Sequence, residues 1–300
     1  MSQANRHRWG TVALAGRPNV GKSTLLNALA GRKLSIVTPK PQTTRHRVEA
    51  LVEGPGFRMI VTDTPGSGAS GGSRLAHAMN REGEAALGTA DAAILVVAAP
   101  RWTAGDDAAL ERLRRTGLPL VLAVNKIDGV RPRTALLPFL ERAAGRHEFS
   151  AIVPISAEKG ENLDALVRAV SAHLPEGPVE EAPAPLDRGE RFTAAETLRE
   201  QLMLALRDEL PYGIAVEIER FEPTEDGRTE IDAVIWVERE GQRKIVIGAK
   251  GERLKAIGRA ARLALNERLG RRVHLATWVK VREGWSDDDR MLRQLGHEPP

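Results

Sequence analysis

Eight residues near the start of the chain, Gly16-Arg17-Pro18-Asn19-Val20-Gly21-Lys22-Ser23, have the spacing Gly-x-x-x-x-Gly-Lys-Ser of a phosphate-cradling loop. Its glycines let backbone N–H groups turn onto phosphate oxygens, and a helix beginning there adds partial positive charge. Lys22 would bridge the outer phosphates, the Ser23 hydroxyl would ligate Mg²⁺, and Thr24 closes the stretch. About forty residues on, Asp63-Thr64-Pro65-Gly66 follows an apolar run. Alone it reads as a turn; after a phosphate loop, its carboxylate can hold the metal through water, and the Gly66 N–H can meet a terminal phosphate.

Asn125-Lys126-Ile127-Asp128 chooses the base. An Asp128 carboxylate accepts two hydrogen bonds and so matches guanine N1–H and its exocyclic amine. Adenine has no such donor pair, and an unpaired buried acceptor is expensive. The Lys126 stem can cover the base, and Ser156-Ala157 supplies a loop whose backbone can meet the guanine carbonyl. These segments, in this order, are the signature of translation-factor-type GTPases.

Gln42-Thr43-Thr44-Arg45-His46 then occupies the place of the first switch, where a threonine ligates Mg²⁺ in the GTP state. Thr44 is favoured over Thr43 by analogy with GTPases carrying the same Thr-Thr-Arg run. Many GTPases orient the attacking water with a glutamine after Asp-x-x-Gly; here Ser67 stands there, followed by a Gly/Ser-rich run to Ser73. No residue nominates itself as catalytic base, since His46 and His77 read better as surface histidines, so slow intrinsic turnover is expected. Asn19 has two readings: a local cap of the loop, or a ligand for K⁺ standing where an arginine finger otherwise acts.

Short apolar runs alternating with helical patterns must position these residues. Candidate strands are Gly10–Ala15, Arg47–Glu53, Phe57–Thr62, Ala93–Ala98, Leu118–Val124 and Ala151–Pro154. Helices are expected over Lys22–Ala30, Leu75–Leu87, Asp106–Arg115, Thr134–Ala144 and Leu163–Leu174. Most strands are continuously apolar, as strands buried on both faces are, while Arg47–Glu53 and its neighbour read as an antiparallel edge pair. The pattern predicts an α/β P-loop fold, a doubly wound, mostly parallel sheet, over residues 8–174. Residues 175–190, with Pro175, Pro178, Pro183 and Pro185, have linker composition.

Residues 191–300 change pattern: a helix over Thr193–Leu210, strands Gly213–Phe221 and Glu230–Glu238, helices about a glycine pair, and a strand Val273–Val281. Between Arg243 and Arg282 lie 12 Lys and Arg against only Glu252 and Glu267. Such concentration suits a phosphate backbone. Gly248-Ala249-Lys250-Gly251, followed by the helix Glu252–Leu269 with Arg253 and Lys255, is the Gly-x-x-Gly device by which type II KH domains clamp single-stranded RNA. Ile247, Leu254 and Ile257 read mainly as core, with a share in a groove for bases. Trp236, Trp278 and Trp285 read as packing residues rather than stacking platforms.

Composition sets the bounds. The 300 residues, 42% hydrophobic and 28% charged, allow two globular domains. With no cysteine, disulfides, thiolate metal sites and a cysteine nucleophile are excluded. No run is long enough for a membrane span and no signal segment is evident, so a soluble intracellular protein is expected. The net charge of +4 is uninformative until its clustering is seen.

A GTPase domain followed by this KH domain resembles the Era family of bacterial ribosome-assembly GTPases from Gly10 to about Gly296. The likeness rests on Gly16–Thr24, Pro41–His46, Asp63–Gly66, Asn125–Asp128, Pro154–Glu158, Glu217–Phe221, Val246–Gly251 and Val273–Val281. It implies GTP-dependent binding near the 3′ end of small-subunit ribosomal RNA, a role in rRNA processing and 30S assembly, and a KH domain whose placement follows the GTP/GDP state. It also implies a mainly cytoplasmic location with some peripheral association at the inner membrane; a monomer is expected. Two departures stand out: Ser67 where the family has a hydrophobic residue, and His297 where it has a tyrosine. A GTP-gated RNA-binding module with negligible hydrolysis is the rival reading, motivated by Ser67. A GTPase acting on tRNA or at a membrane leaves the Lys250 loop unexplained.

Overall fold

The computed structural model describes residues 6–65, 72–178, 184–207 and 210–297. They fall into two compact units, one reaching to Leu186 and one beginning at Asp187, with 70–78 grouped with the second. Gly66, Ser67 and the rest of 66–71, and 179–183 of the proline-rich stretch, lie outside the described residues.

The first unit is built on strands β1 (Arg6–Ala15), β2 (Val48–Gly54), β3 (Phe57–Asp63), β4 (Ala92–Ala98), β5 (Leu120–Asn125), β6 (Ala151–Pro154) and β7 (Glu176–Pro178). Their order is β2-β3-β1-β4-β5-β6, with β7 also on β1. β1, β3, β4, β5 and β6 run parallel; β2 pairs antiparallel with β3. The apolar runs behave as their composition requires: every residue of β4 and β5 is buried, whereas β2 alternates buried and open positions, as an edge strand does. Helices α1 (Lys22–Ala30), α2 (Arg74–Gly88), α3 (Ala104–Arg114), α4 (Leu136–Ala144) and α5 (Leu163–Ser171) connect them. Leu95, Val97, Leu110, Leu113, Leu122, Val124 and Phe139 form one core between the sheet and its helices.

Two features depart from expectation. β1 starts at Arg6 rather than Gly10, and β7 arises from a stretch with linker composition. They have one cause: β4 pairs with β1 only from Val12 onward, so the open edge of Arg6–Arg8 is taken by Glu176–Pro178.

The second unit has the order α6 (Gly189–Ala205), β8 (Ile214–Pro223), β9 (Thr229–Val237), α7 (Glu240–Ile247), α8 (Glu252–Leu269), β10 (Val273–Val281) and α9 (Asp289–Gln294). This is the anticipated helix–strand–strand–helix–helix–strand order, with α6 ending before Leu206 rather than at Leu210. The sheet runs β10-β9-β8, with β9–β10 parallel and β8–β9 antiparallel. Leu198 and Leu202 of α6, Ile235, Ile257, Ala261 and Val279 share its core. Trp285 is buried and donates Nε1–H to the Gly213 carbonyl, and Trp236 donates to Glu217. Trp278 does not pack as expected: on the edge strand β10 it is 46% exposed.

Candidate nucleotide site and nucleic-acid groove

The phosphate loop lies between β1 and α1, beyond the carboxyl end of the strand where the sheet order reverses, the usual ligand position in such sheets. Gly21 enters α1 at φ 101°, and a Cβ there would lie 2.4 Å from Asn125 Nδ2, so both its conformation and its contact require glycine. Lys22 is buried and caps the loop, donating to the carbonyls of Gly16 (2.8 Å) and Arg17 (3.2 Å). Burial holds its ammonium below the ordinary lysine range, with Asp63 opposing. The Arg17 side chain turns to the fully buried Asp106 (3.1 Å), leaving its backbone for phosphate, and Val20 is buried beneath the loop.

Three oxygens converge beside Lys22. Ser23 Oγ and Thr44 Oγ1 lie 2.9 Å apart and donate to Asp63 Oδ2 at 2.6 and 3.3 Å. Thr43 instead donates to the Lys40 carbonyl and meets Thr38. Asp63 is fully buried and its Oδ1 has no partner among the described residues. Burial pushes this carboxyl up, with Lys22 and the hydroxyls of Ser23, Thr44 and Ser35 working against it. Two hydroxyls and an orphaned buried carboxylate oxygen are the hard-oxygen set Mg²⁺ prefers, so the residues present fit that ion. Ser35 was not foreseen; its loop is clamped by Asn27, whose Oδ1 accepts from the N–H groups of Leu34 and Ser35, both at 2.8 Å.

On the base side, Ser156 Oγ donates to Asp128 Oδ1 at 2.6 Å, fixing a half-buried carboxylate. Asn125 is a buried brace, donating to the Val20 carbonyl and accepting the Ala157 N–H at 2.9 Å. Lys126 adopts φ 65° and donates to the Asn19 carbonyl. An open cleft of about 380 Å³ runs along the phosphate loop and the first-switch segment as far as Lys126, without reaching Asp128 or Ser156. Pro18, Asn19, Ser23, Thr24, Gln42, Thr44 and Lys126 line it, with Ile36–Lys40 and Glu158 as walls the sequence did not announce. Asn19 Nδ2 donates to the Pro39 carbonyl at 2.9 Å. Thr64 and Pro65 are buried behind the loop. Arg45 and His46, the latter expected at the surface, are buried as the chain turns inward toward β2; His77 is exposed.

In the second unit Gly248 and Gly251 take φ 75° and 79°, and Lys250, exposed between them, φ 50°. A groove of about 390 Å³ follows, lined by Gly251, Leu254, Lys255, Gly258, Arg259, Arg262, Leu275 and Thr277. Lys255, Arg259 and Arg262 fall on one face of α8, so the basic track runs two turns beyond the expected residues. Arg253 points elsewhere: its Nη1 donates to the Ile245 carbonyl at 2.7 Å and ties α7 to α8. Ile257 is core, while Leu254 serves both core and groove. His297 is buried and its backbone N–H closes α9 on the Leu292 carbonyl.

Comparison with known proteins agrees with both halves. A family described as 50S ribosome-binding GTPase matches residues 11–126, and the KH domain family matches 209–286. A GTPase Era of Stenotrophomonas maltophilia is 50% identical over 300 residues, 99% of this chain and 100% of that protein. One of Yersinia pestis is 45% identical, covering 99% and 98%. Among solved structures, an alanine variant of Aquifex aeolicus Era bound to GDP and aluminium fluoride superposes with a TM-score of 0.90 at 38% identity, covering 97% of this chain and 99% of that one. Era in complex with MgGDPNP and nucleotides 1506–1542 of 16S ribosomal RNA gives 0.91 at the same identity and coverage. Identity this high along the whole of both chains, with the same two folds in the same order, means that the chain belongs to the GTPase Era family.

Proposed function

We propose that this GTPase binds small-subunit ribosomal RNA near its 3′ end in its GTP state and assists rRNA processing and 30S assembly. The observation that carries the nucleotide half is the convergence of Ser23, Thr44 and the unpaired Asp63 oxygen beside Lys22. Backbone N–H groups of Gly16–Thr24, Pro18 excepted, would hold the phosphates, Lys22 would steady the outer two, and Ser23, Thr44 and, through water, Asp63 would hold the metal. Mg²⁺, when bound, neutralises charge on the β- and γ-phosphate oxygens. Asp128, braced by Ser156, reads guanine, while Asn125 ties the base loop to the phosphate loop.

Asn19 supports potassium use: its amide nitrogen is committed to the Pro39 carbonyl, which leaves the side-chain oxygen as the ligand. For RNA, the support is the glycine loop with Lys250 and the basic groove, together with the ribosomal RNA carried by the Era relative. On this reading the protein works in the cytoplasm as a monomer. No helix among the described residues is long and apolar enough to cross a membrane, and the basic face of α8 is the surface that would touch anionic headgroups peripherally.

Single-turnover hydrolysis, with and without an RNA of the 16S 3′ end and in potassium or sodium buffer, tests the reading. Slow release of phosphate, faster with RNA and in potassium, is expected. No release in any arm rejects the catalytic reading, and equal rates in the two buffers reject the role given to Asn19.

A further inference from the structure

Arg112, on α3, is half-buried. Its Nη2 is closed off from solvent and donates to nothing among the described residues. A buried donor left unpaired is costly, and a methionine would fill the same space without one, so packing alone does not account for a guanidinium here.

Its surroundings indicate what it serves. In the interior of α2, Gly83 is buried, and a Cβ there would come 3.3 Å from Arg112 Nη2 and 3.8 Å from the Pro65 carbonyl oxygen. Glycine is disfavoured inside a helix; this one leaves open a space that borders both the guanidinium and that carbonyl. Beside them is a cavity of about 10 Å³ lined by Gly16, Lys22, Thr64, Pro65 and Arg112 together with apolar side chains of β1, α2 and α3, about the least space that holds a single water. Arg112 therefore stands behind the phosphate loop, between α2 and the residues that follow Asp63.

We infer that Arg112 is a positioning residue for GTP hydrolysis: its free Nη2–H donates to the Pro65 carbonyl, directly or through one water, and fixes Thr64-Pro65 against the phosphate loop. Those residues lie on the side of the terminal phosphate, so the contact acts on turnover and not on GDP binding. The inference rests on the hydrolysis reading above. An inactive wild-type chain would reject that reading, whereas an active wild type matched by its variants would reject this one.

The test uses the full chain carrying Arg112→Met, Arg112→Lys or Gly83→Ala, with the single-turnover rate, GDP affinity and Tm measured for each. Arg112→Met should lower the rate on the order of tenfold, the loss of one charge-assisted hydrogen bond, with GDP affinity held within about twofold. Arg112→Lys should recover part of the rate. Gly83→Ala, which pushes the guanidinium aside, should slow turnover in the same way. An unchanged rate in Arg112→Met overturns the inference. So does a parallel fall in rate, GDP affinity and Tm that lysine does not relieve, since that is the behaviour of a structural residue. If Arg112→Met does not fold, unchanged rates in Arg112→Lys and Gly83→Ala overturn it equally.

Discussion

At the scale of single residues, chemistry follows from which atoms are left without partners. Asp128 gives one oxygen to Ser156 and so keeps the other for a ligand. Asp128→Asn keeps the size but offers an N–H₂ where guanine also donates; GTP affinity should fall roughly a hundredfold or more. Xanthosine triphosphate, whose 2-carbonyl accepts, should bind in its place, and equilibrium titration with both nucleotides reads the exchange. Asp63 makes a different point. Burial raises its folded-state pKa, so the folded chain holds that proton to higher pH than the unfolded chain does. Its contribution to stability is therefore fullest below the unfolded carboxylate value and declines as pH rises through the folded one. Asp63→Asn should then melt above wild type at neutral pH without metal, and the gap should close as pH falls. The same variant should lose Mg²⁺-dependent nucleotide affinity, which thermal melts with and without Mg²⁺-GDP would measure.

At the scale of elements, apolar runs such as β4 and β5 were legible because strands buried on both faces leave no polar alternation. β7 was not, since three residues with proline carry no periodicity and pair only because an edge of β1 is open. Helix α8 shows the same division. Its glycine entry and Lys250 are plain in sequence, but the reach of the track to Arg259 and Arg262 depends on how α8 lies beside Leu275 and Thr277 of β10. Both Gly248→Asp and Gly251→Asp strain a left-handed backbone, but a Cβ at 251 meets nothing within 4 Å while one at 248 also comes 2.6 Å from Arg253 Cβ, so Gly251→Asp disturbs its neighbours less. Arg262→Glu should weaken binding of the 16S 3′-end RNA and leave GTP affinity unchanged. In a salt titration each lost phosphate contact should reduce the slope of log affinity by about 0.7. An unaltered slope would remove α8 from the RNA path.

At the scale of the whole molecule, a net charge of +4 conceals a stretch, Arg243 to Arg282, with 12 Lys and Arg against two Glu, of which Lys255, Arg259 and Arg262 line the groove. Two ligands with different physics follow from that. RNA affinity should drop steeply between about 50 and about 200 mM salt, whereas nucleotide affinity, held by buried groups, should change far less; titrations of both across that range decide it. The amino-acid order by itself marked out the chemistry: a phosphate-loop pattern, a carboxylate whose setting points to guanine and a glycine-bounded basic loop, each a local pattern tied to a strand or helix end. Tertiary structure alone decided the partners. Thr44, the residue that analogy favours over Thr43, reaches Asp63, Arg253 braces a helix instead of facing the groove, and Arg112 meets Gly83 behind Pro65. Spacing along a chain fixes which face a side chain shares with its neighbours. What stands opposite that face depends on the packing of segments far apart in sequence, and burial then determines which of their polar atoms remain unpaired.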